Sequence, residues 1–484
     1  MTIQPVLLWS DLFIWLLVAV GAAGAWWSAR QPLLAAAWAR VGRSRPGMAA
    51  ATLLAVFALI GLLDSLHYRP QLPAKDGEKV AHTKAYSIEV LSALDALLTP
   101  LRTRVEKTYS APLATRAYAK EMLEIRQPDG SVVKQRDYPR LRHGGAALGD
   151  NEERAGADIA GRALRALAVA ALVWLMLCAL VVRRIAGSEA VGETTGKPLS
   201  FGAAWRRLWR GDTAFAWNAV LVTLGLILAF AFVLAGLAAE YHVFGTDKVG
   251  QDVLYQVLKS VRTALVIGLV TTLVTLPLAV FLGIVAGYFR GWIDDLIQYL
   301  YTTLNSIPGV LLIAAAVLMM QVVIDTHPQW FATAAERADL RLLALCFILG
   351  LTSWTGLARL LRGEALKLRE LEYVQAAQAF GVSDLRILGR HLLPNLMHIV
   401  IIALVMDFSG LVLAEAVLSY VGIGVDPTMI SFGTMINNAR MELGREPVVW
   451  WSLTAAFTFM FVLVLAANLL ADAVRDAFDP RMAR

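Results

Sequence analysis

The chain alternates between long apolar runs and short charged linkers, with one long polar interruption. Nine runs stand out, at residues 6–27, 48–66, 164–182, 215–239, 264–288, 296–324, 342–360, 396–418 and 450–470. Each is near the roughly 20 residues that a helix needs to cross a hydrocarbon layer. Basic residues gather in alternate linkers: Arg30, Arg40, Arg43 and Arg45, then Arg183, Arg184, Arg206, Arg207 and Arg210, then Arg359, Arg362, Lys367, Arg369, Arg386 and Arg390. Short basic linkers stay in the cytoplasm, so the pattern predicts an N-terminus outside and a C-terminus inside. No basic segment followed by a small-residue cleavage site opens the chain, so the first run is expected to be retained.

Composition agrees with the pattern. Of 484 residues, 58% are hydrophobic and only 17% charged, which excludes an ordinary soluble domain and indicates a polytopic, all-α membrane protein. The net charge of +6 does not point to nucleic acid, because the basic residues flank apolar runs and form no aromatic-interleaved patch. Cys178 and Cys346 both sit inside apolar runs, which argues against a disulfide framework or a zinc site. The seven histidines show no metal-ligand spacing; His391 and His398 read as packing residues. Residues 192–198, Gly-Glu-Thr-Thr-Gly-Lys-Pro, imitate a phosphate loop. The stretch is one residue short, Pro198 replaces the required Ser or Thr, and no strand precedes it. No metal or cofactor is therefore expected on this chain, and any ATP chemistry belongs to a partner.

The polar interruption, 67–160, carries both signs of charge. Ile88, Val90, Leu91, Leu94, Leu97, Leu98 and Leu101 are spaced to form one face of a helix. Pro128, Asp129 and Gly130 predict a hairpin turn between apolar stretches at 123–125 and 132–133. The segment is expected to be a small extracytoplasmic domain, either a solvated insertion or an added contact for a substrate-delivery protein.

The stretch 370–395 is a charged, helix-prone island between two apolar runs. Gln375, Ala376 and Ala377 favour helix, and Gly381 can end it in a left-handed cap. Ser383 or Asp384 can then cap a second helix, and Pro394 punctuates it. The shape expected is a helix, a tight turn and a helix on the cytoplasmic face.

This island resembles the coupling loop of ABC importer permeases, which reads Glu-Ala-Ala, three residues, Gly, nine residues, Ile-x-Leu-Pro. Gln375, Ala376, Ala377, Gly381, Leu393 and Pro394 fall on that spacing, with Gln375 in place of the Glu and His391 in place of the Ile. The variant is similar to the second permease of the dipeptide, oligopeptide and nickel family. Residues 242–253 are similar to that family's Gly-Thr-Asp-x-x-Gly-Arg-Asp signature through Gly245, Thr246, Asp247, Gly250 and Asp252, with Gln251 in place of Arg. Those residues serve either as turns and caps before the next helix or as a contact for substrate or its binding protein.

The resemblance implies a six-span core over 214–484; outside it, the apolar pattern gives two spans in 1–66, the domain at 67–160, and a third span with a basic linker at 161–213. It implies a coupling helix, with Glu372 and Tyr373 at its start, that docks on two separate ATPase subunits holding ATP and Mg. It also implies a homologous second permease, a binding protein outside, and a bilayer of the inner membrane around the spans. The chain itself would catalyse nothing. Pro277, Pro308 and Gly309 fall within spans and predict kinks. Asp407 lies mid-span, where a carboxylate needs water or a partner; it either lines the translocation path and meets a cationic group such as a peptide amine, or hydrogen-bonds to the partner subunit or to Ser409. Glu415 is placed on the path or, more simply, as an anchor of the re-entrant loop that follows. Asp294 and Asp295 are expected to be solvated. An autonomous transporter with broken helices and a membrane-anchored interaction protein remain the readings from other classes. Neither would require the docking loop.

Overall fold

The computed structural model describes residues 3–71, 86–126, 132–149, 151–188, 200–331 and 333–478, and nine helices among them are long and apolar enough to cross a membrane. The phosphate-loop imitation at 192–198, the turn at 128–130 and the end of the C-terminal tail lie outside the described residues.

β1 (Ile3–Val6) leads into α1 (Trp9–Arg30). α2 (Pro32–Arg43) occupies what the apolar pattern leaves as a linker. Pro32 suits its first turn, where no backbone N–H is needed. Its Ala37 and Val41 are buried against Val474, Ala477 and Phe478 near the other end of the chain. α3 (Arg45–Asp64) begins at Ser44, whose hydroxyl accepts from the N–H of Gly47.

The polar segment follows. β2 (His67–Pro70) joins β1 and β3 (Leu91–Ser92) in a three-stranded antiparallel sheet, with Val6 opposite His67 and His67 opposite Ser92. The single amphipathic helix expected over 88–101 is absent. The chain instead makes β3, α4 (Ala93–Leu97) and α5 (Thr99–Thr103). Ser92 and Asp95 form a reciprocal capping box that starts a new helix at Ala93, and Pro100 starts another. Ile88 is consequently 84% exposed, while Leu94 and Leu101 are buried. The expected hairpin is present as β4 (Glu121–Arg126) paired with β5 (Val132–Asp137), Glu121 opposite Asp137.

α6 (Ala155–Ser188) returns across the bundle to α7 (Phe201–Arg210), and α8 (Trp217–Ala238) runs beside α6. α9 (Val253–Phe289) is a single helix across Pro277. The span expected over 296–324 is two helices, α10 (Gly291–Ser306) and α11 (Gly309–Thr326). Ile307 before Pro308 has φ −94° and ψ 132°. A residue preceding proline is driven out of the helical region, so the chain breaks there where a kink was expected.

α12 (Ala334–Ser353) and α13 (Thr355–Arg369) form one long crossing. α14 (Glu372–Ala379), α15 (Asp384–Ile387), α16 (Leu393–Val421), α17 (Phe432–Glu442) and α18 (Trp451–Phe478) complete the chain. α9 is the axis of the bundle. One end packs Val253, Val257 and Val261 against Val412, Phe432 and Ala456. The other packs Ala286 against α13, where Gly283 and Gly287 meet the backbone of Ala358 and Arg362 too closely to admit a β-carbon. Small residues of this kind let helices approach in a bilayer, where burial from water supplies no drive.

Candidate functional site

The 370–395 island folds as a helix, a turn and a helix, anchored from beneath. Val374 of α14, Ile387 of α15 and Leu392 are buried with Leu361 and Ala365 of α13. α14 ends in a paired cap: the N–H of Gly381 donates to the carbonyl of Gln378, and that of Val382 donates to Ala377. Gly381 has φ +74°, the left-handed value that the turn requires. Tyr288, at the end of α9, ties the two helices together. Its hydroxyl donates to Asp384 Oδ1 at 2.6 Å and accepts from Gln378 Nε2 at 3.1 Å, and its carbonyl accepts from Arg369.

Asp384 is thus committed to Tyr288, and neither it nor Ser383 caps α15 with its side chain, contrary to the expectation. Leu388–Leu392 form one wide π turn before Leu393 and Pro394 open α16, which absorbs the N–H that Pro394 lacks. Tyr373 and Asn395 join across the element at 3.0 Å. Glu372, Gln375 and Ala376 are exposed, Ala377 is half-buried, and Gln375 Nε2 donates to the carbonyl of Glu370.

Two side chains that the motif does not include stand out. Phe380 is 87% exposed and Leu385 80% exposed, one on either side of the Gly381 turn. An apolar tip on a charged island, held rigidly from below, is a surface built for contact. The signal was in the sequence as a Phe preceding the turn glycine, and motif spacing overlooks it.

The 242–252 loop lies at the opposite end of α9. Asp252 caps α9 through the N–H of Leu254, and Asp247 accepts from Val249 N, Gln251 N and Gln256 Nε2. Thr246 and Asp252 are fully buried; the insertion packs on Thr246 together with Trp451 of α18, whose indole N–H donates to the Thr246 carbonyl at 3.0 Å. The hydroxyl of Thr246 donates to the carbonyl of Thr108 and accepts from the N–H of Ser110, while Ser110 returns its carbonyl to Thr246 N–H. Gly245 and Gly250 press against the backbone of Ser110 and Glu106.

His242 completes the junction. Its Nδ1 lies 2.8 Å from Asp252, and its Nε2 lies 3.4 Å from Glu106 Oε1, a charge contact too poorly aimed for a good hydrogen bond. Burial alone would lower the imidazole pKa, but the two carboxylates outweigh it and push it up to about 9. Burial alone would raise Glu106, but His242 and the N–H groups of Arg142, His143 and Gly144 hold it at about 2. His242 is therefore a buried imidazolium between one carboxylate of the insertion and one of the core.

The remaining acids divide. Glu415 is 1% exposed and accepts from the hydroxyls of Ser419 and Ser431, beneath the 419–431 loop. Asp407 is half-buried on α16, and among the described residues no hydrogen bond or ion pair reaches it; Ser409, the expected partner, donates instead to Met406. Asp294 corrects the solvated reading: it is buried and grips Arg362 through both oxygens at 2.6 and 2.7 Å. That guanidinium holds its carboxyl below the usual range.

Comparison with known proteins follows the same division of the chain. Residues 279–484 match the binding-protein-dependent transport system inner membrane component family. This interval contains the 370–395 island, while the 242–252 loop precedes it. The chain is 31% identical over 294 residues to the glutathione transport system permease protein GsiD of Pectobacterium atrosepticum, covering 57% of this chain and 90% of that one. It is 29% identical to the dipeptide transport system permease protein DppC of Bacillus subtilis, covering 58% and 86%. Against the oligopeptide transport system permease protein OppC of Mycobacterium bovis it is 30% identical, covering 49% and 76%.

Proposed function

The chain belongs to the permeases of the dipeptide and oligopeptide ABC importers, and from that premise we propose how it is assembled and driven. It pairs with a homologous, distinct permease in the bacterial inner membrane, with the insertion outside and 370–395 in the cytoplasm. Two ATPase subunits, which alone hold ATP and Mg, dock against the pair. A binding protein delivers a peptide or a related small solute from outside. The substrate class rests on relatives whose names specify peptides and glutathione.

The observation that carries this reading is the exposed Phe380 and Leu385 on a turn fixed to the long α9 and α13 through Tyr288 and Val374. ATPases closing on ATP push this tip, with Glu372, Tyr373, Gln375, Ala376 and Ala377 on the same helix. Because the element is braced to α9 and α13, the push moves those helices as a unit. The break at Ile307–Pro308 lets α11 change its angle to α10. The work requires ATPases that bind the two states of the bundle differently. Asp407, without a partner among the described residues, supplies the path with a carboxylate for a cationic group. Glu415 steadies the loop above it. The signature residues Gly245, Thr246, Asp247, Gly250 and Asp252 hold the insertion, so a delivered binding protein meets the insertion before it meets them.

Co-expression of this chain with the ATPases and permease encoded beside it tests the assembly. Recovery of four subunits in one particle (this chain, a second permease and two ATPase copies) is expected. Recovery of this chain alone or as a homodimer without ATPase contradicts the reading.

A further inference from the structure

Outside the transport machinery, α6, α7 and α8 enclose a groove that transport does not explain. It has a volume of about 520 Å³. Its floor is made of small residues, Ala170 and Ala171 on α6 with Gly225 and Ala229 on α8, and its walls include Trp174 and Trp209. The floor is held in place: Trp174 donates to the carbonyl of Leu221 at 2.7 Å, and Gly225 abuts its indole too closely to take a β-carbon. From Val222 to Ala229 the groove runs about 10 Å along α8, at roughly 1.5 Å per residue. A neighbouring membrane helix packs along many turns of a span of about 20 residues, whereas this groove covers fewer than two turns of α8, which suits part of a hydrocarbon chain.

α7 closes one end. Its Ala204 and Leu208 are buried against Cys178, Val182 and Ile185 of α6 and Leu221 of α8. Its aromatic residues Phe201, Trp205 and Trp209 recur every four positions, and the adjoining face carries Arg206 and Arg210 at the same spacing, both exposed. A helix so divided, with Trp on one face and Arg on the other, lies in the interface between headgroups and acyl chains. Arg206 directly follows the Trp209 side around the helix, so the basic face adjoins the mouth of the groove. No acidic residue occurs in α7 or α2, and among the described residues neither Arg206 nor Arg210 meets a carboxylate. Asp212, the nearest acid in sequence, offers its carbonyl to Arg207. Arg45 reaches the carbonyl of Arg210 and brings a further positive charge to the same rim.

We propose that this groove binds one anionic diacyl phospholipid of the adjoining leaflet, with an acyl chain along Gly225 and Ala229 and its phosphate against Arg206 and Arg210. Basic linkers beside a span need no groove, and a greasy groove needs no arginine. The two together select a ligand that is apolar at one end and anionic at the other. The site would fix the added third span to the first span of the core through lipid as well as through protein.

Native mass spectrometry of the full-length chain in mild detergent, offered phosphatidylglycerol or phosphatidylcholine, tests this. The wild type is expected to retain one phosphatidylglycerol about tenfold better than phosphatidylcholine. Arg206→Gln with Arg210→Gln should bring the ratio close to one, while the paired Lys substitutions should keep most of it. Ala171→Phe, which fills the groove, should reduce retention of both lipids. Equal retention of the two lipids by the wild type, an unchanged ratio in the Gln pair, or unchanged retention with Ala171→Phe would each overturn the assignment. An unaltered elution profile for each variant excludes misfolding as the cause.

Discussion

The backbone N–H of Glu106 donates to the carbonyl of Gly250 at 3.0 Å, joining the insertion to the core across 144 positions of sequence. A β-carbon on Gly250 would stand 1.9 Å from the carbonyl oxygen of Glu106, and the residue's φ is +76°. The signature glycine is therefore required by the surface that covers it.

Gly250→Ala should loosen that junction. Strain at the left-handed position and the forced separation from Glu106 together cost about 2 kcal/mol or more. Limited proteolysis should cut the insertion faster and the melting temperature should fall. Wild-type protease resistance would show that the contact is not tight.

The same junction gives a pH window. The pKa of His242 is raised in the folded state to about 9, so its contribution is complete below the unfolded value near 6.5 and is lost as pH rises through about 9. Glu106 is held at about 2, so its contribution is present above about 4.5 and is lost as pH falls towards 2. Amide protection factors at residues 106–118, corrected for the intrinsic exchange rate at each pH, should be highest between about pH 4.5 and 6.5. His242→Asn should abolish the alkaline loss; an alkaline limb that survives in that variant would assign it to another group.

Arg262 of α9 binds Asp11 of α1 at 2.7 Å and the hydroxyl of Ser10 at 2.6 Å, and lies 3.9 Å from Asp339 of α12. All four are buried. Arg262→Met leaves buried Asp11 with His67, 2.8 Å away, and buried Asp339 with no cation among the described residues, and should destabilise the chain by about 3–5 kcal/mol. Adding Asp11→Asn should recover part of that loss. Thermal unfolding of the single and double variants measures both steps, and a double variant no better than the single would deny the coupling.

Asp407→Asn should weaken uptake of a cationic substrate about tenfold, the effect of losing a charge contact of roughly 1.4 kcal/mol. Uptake into proteoliposomes containing the whole importer reads this directly. Full-rate uptake would remove Asp407 from the path.

The spans were legible because each is a long apolar run bounded by charge, and no tertiary knowledge is needed to see one. The break at Pro308 was not, since a proline within an apolar run can kink a helix or end it, and only the extended backbone of Ile307 decides between them. The turn at Gly381 was legible from local chemistry. The loss of Ser383 and Asp384 as caps was not, because Tyr288, 96 positions away from Asp384, takes the carboxylate. Asp294 was misread for the same reason: its partner Arg362 is a distant residue brought near by α9 and α13. The insertion shows this most fully. Its link to the 242–252 loop is made of backbone bonds and a single threonine hydroxyl that leave no periodic signal, and the cluster of Glu106, His242 and Asp252 draws on widely separated parts of the chain.

The most direct test of the account is ATP hydrolysis by the complex purified with its neighbouring ATPases and second permease, with and without loaded binding protein, comparing wild type with Phe380→Asp. Phe380 is 87% exposed, so the substitution should change the chain's own stability by no more than about 0.5 kcal/mol. Loaded binding protein should stimulate the wild type, and Phe380→Asp should lose its ATPases or that stimulation. A variant that retains both, or a wild type that co-purifies with no ATPase, would contradict a coupling role for the 370–395 element.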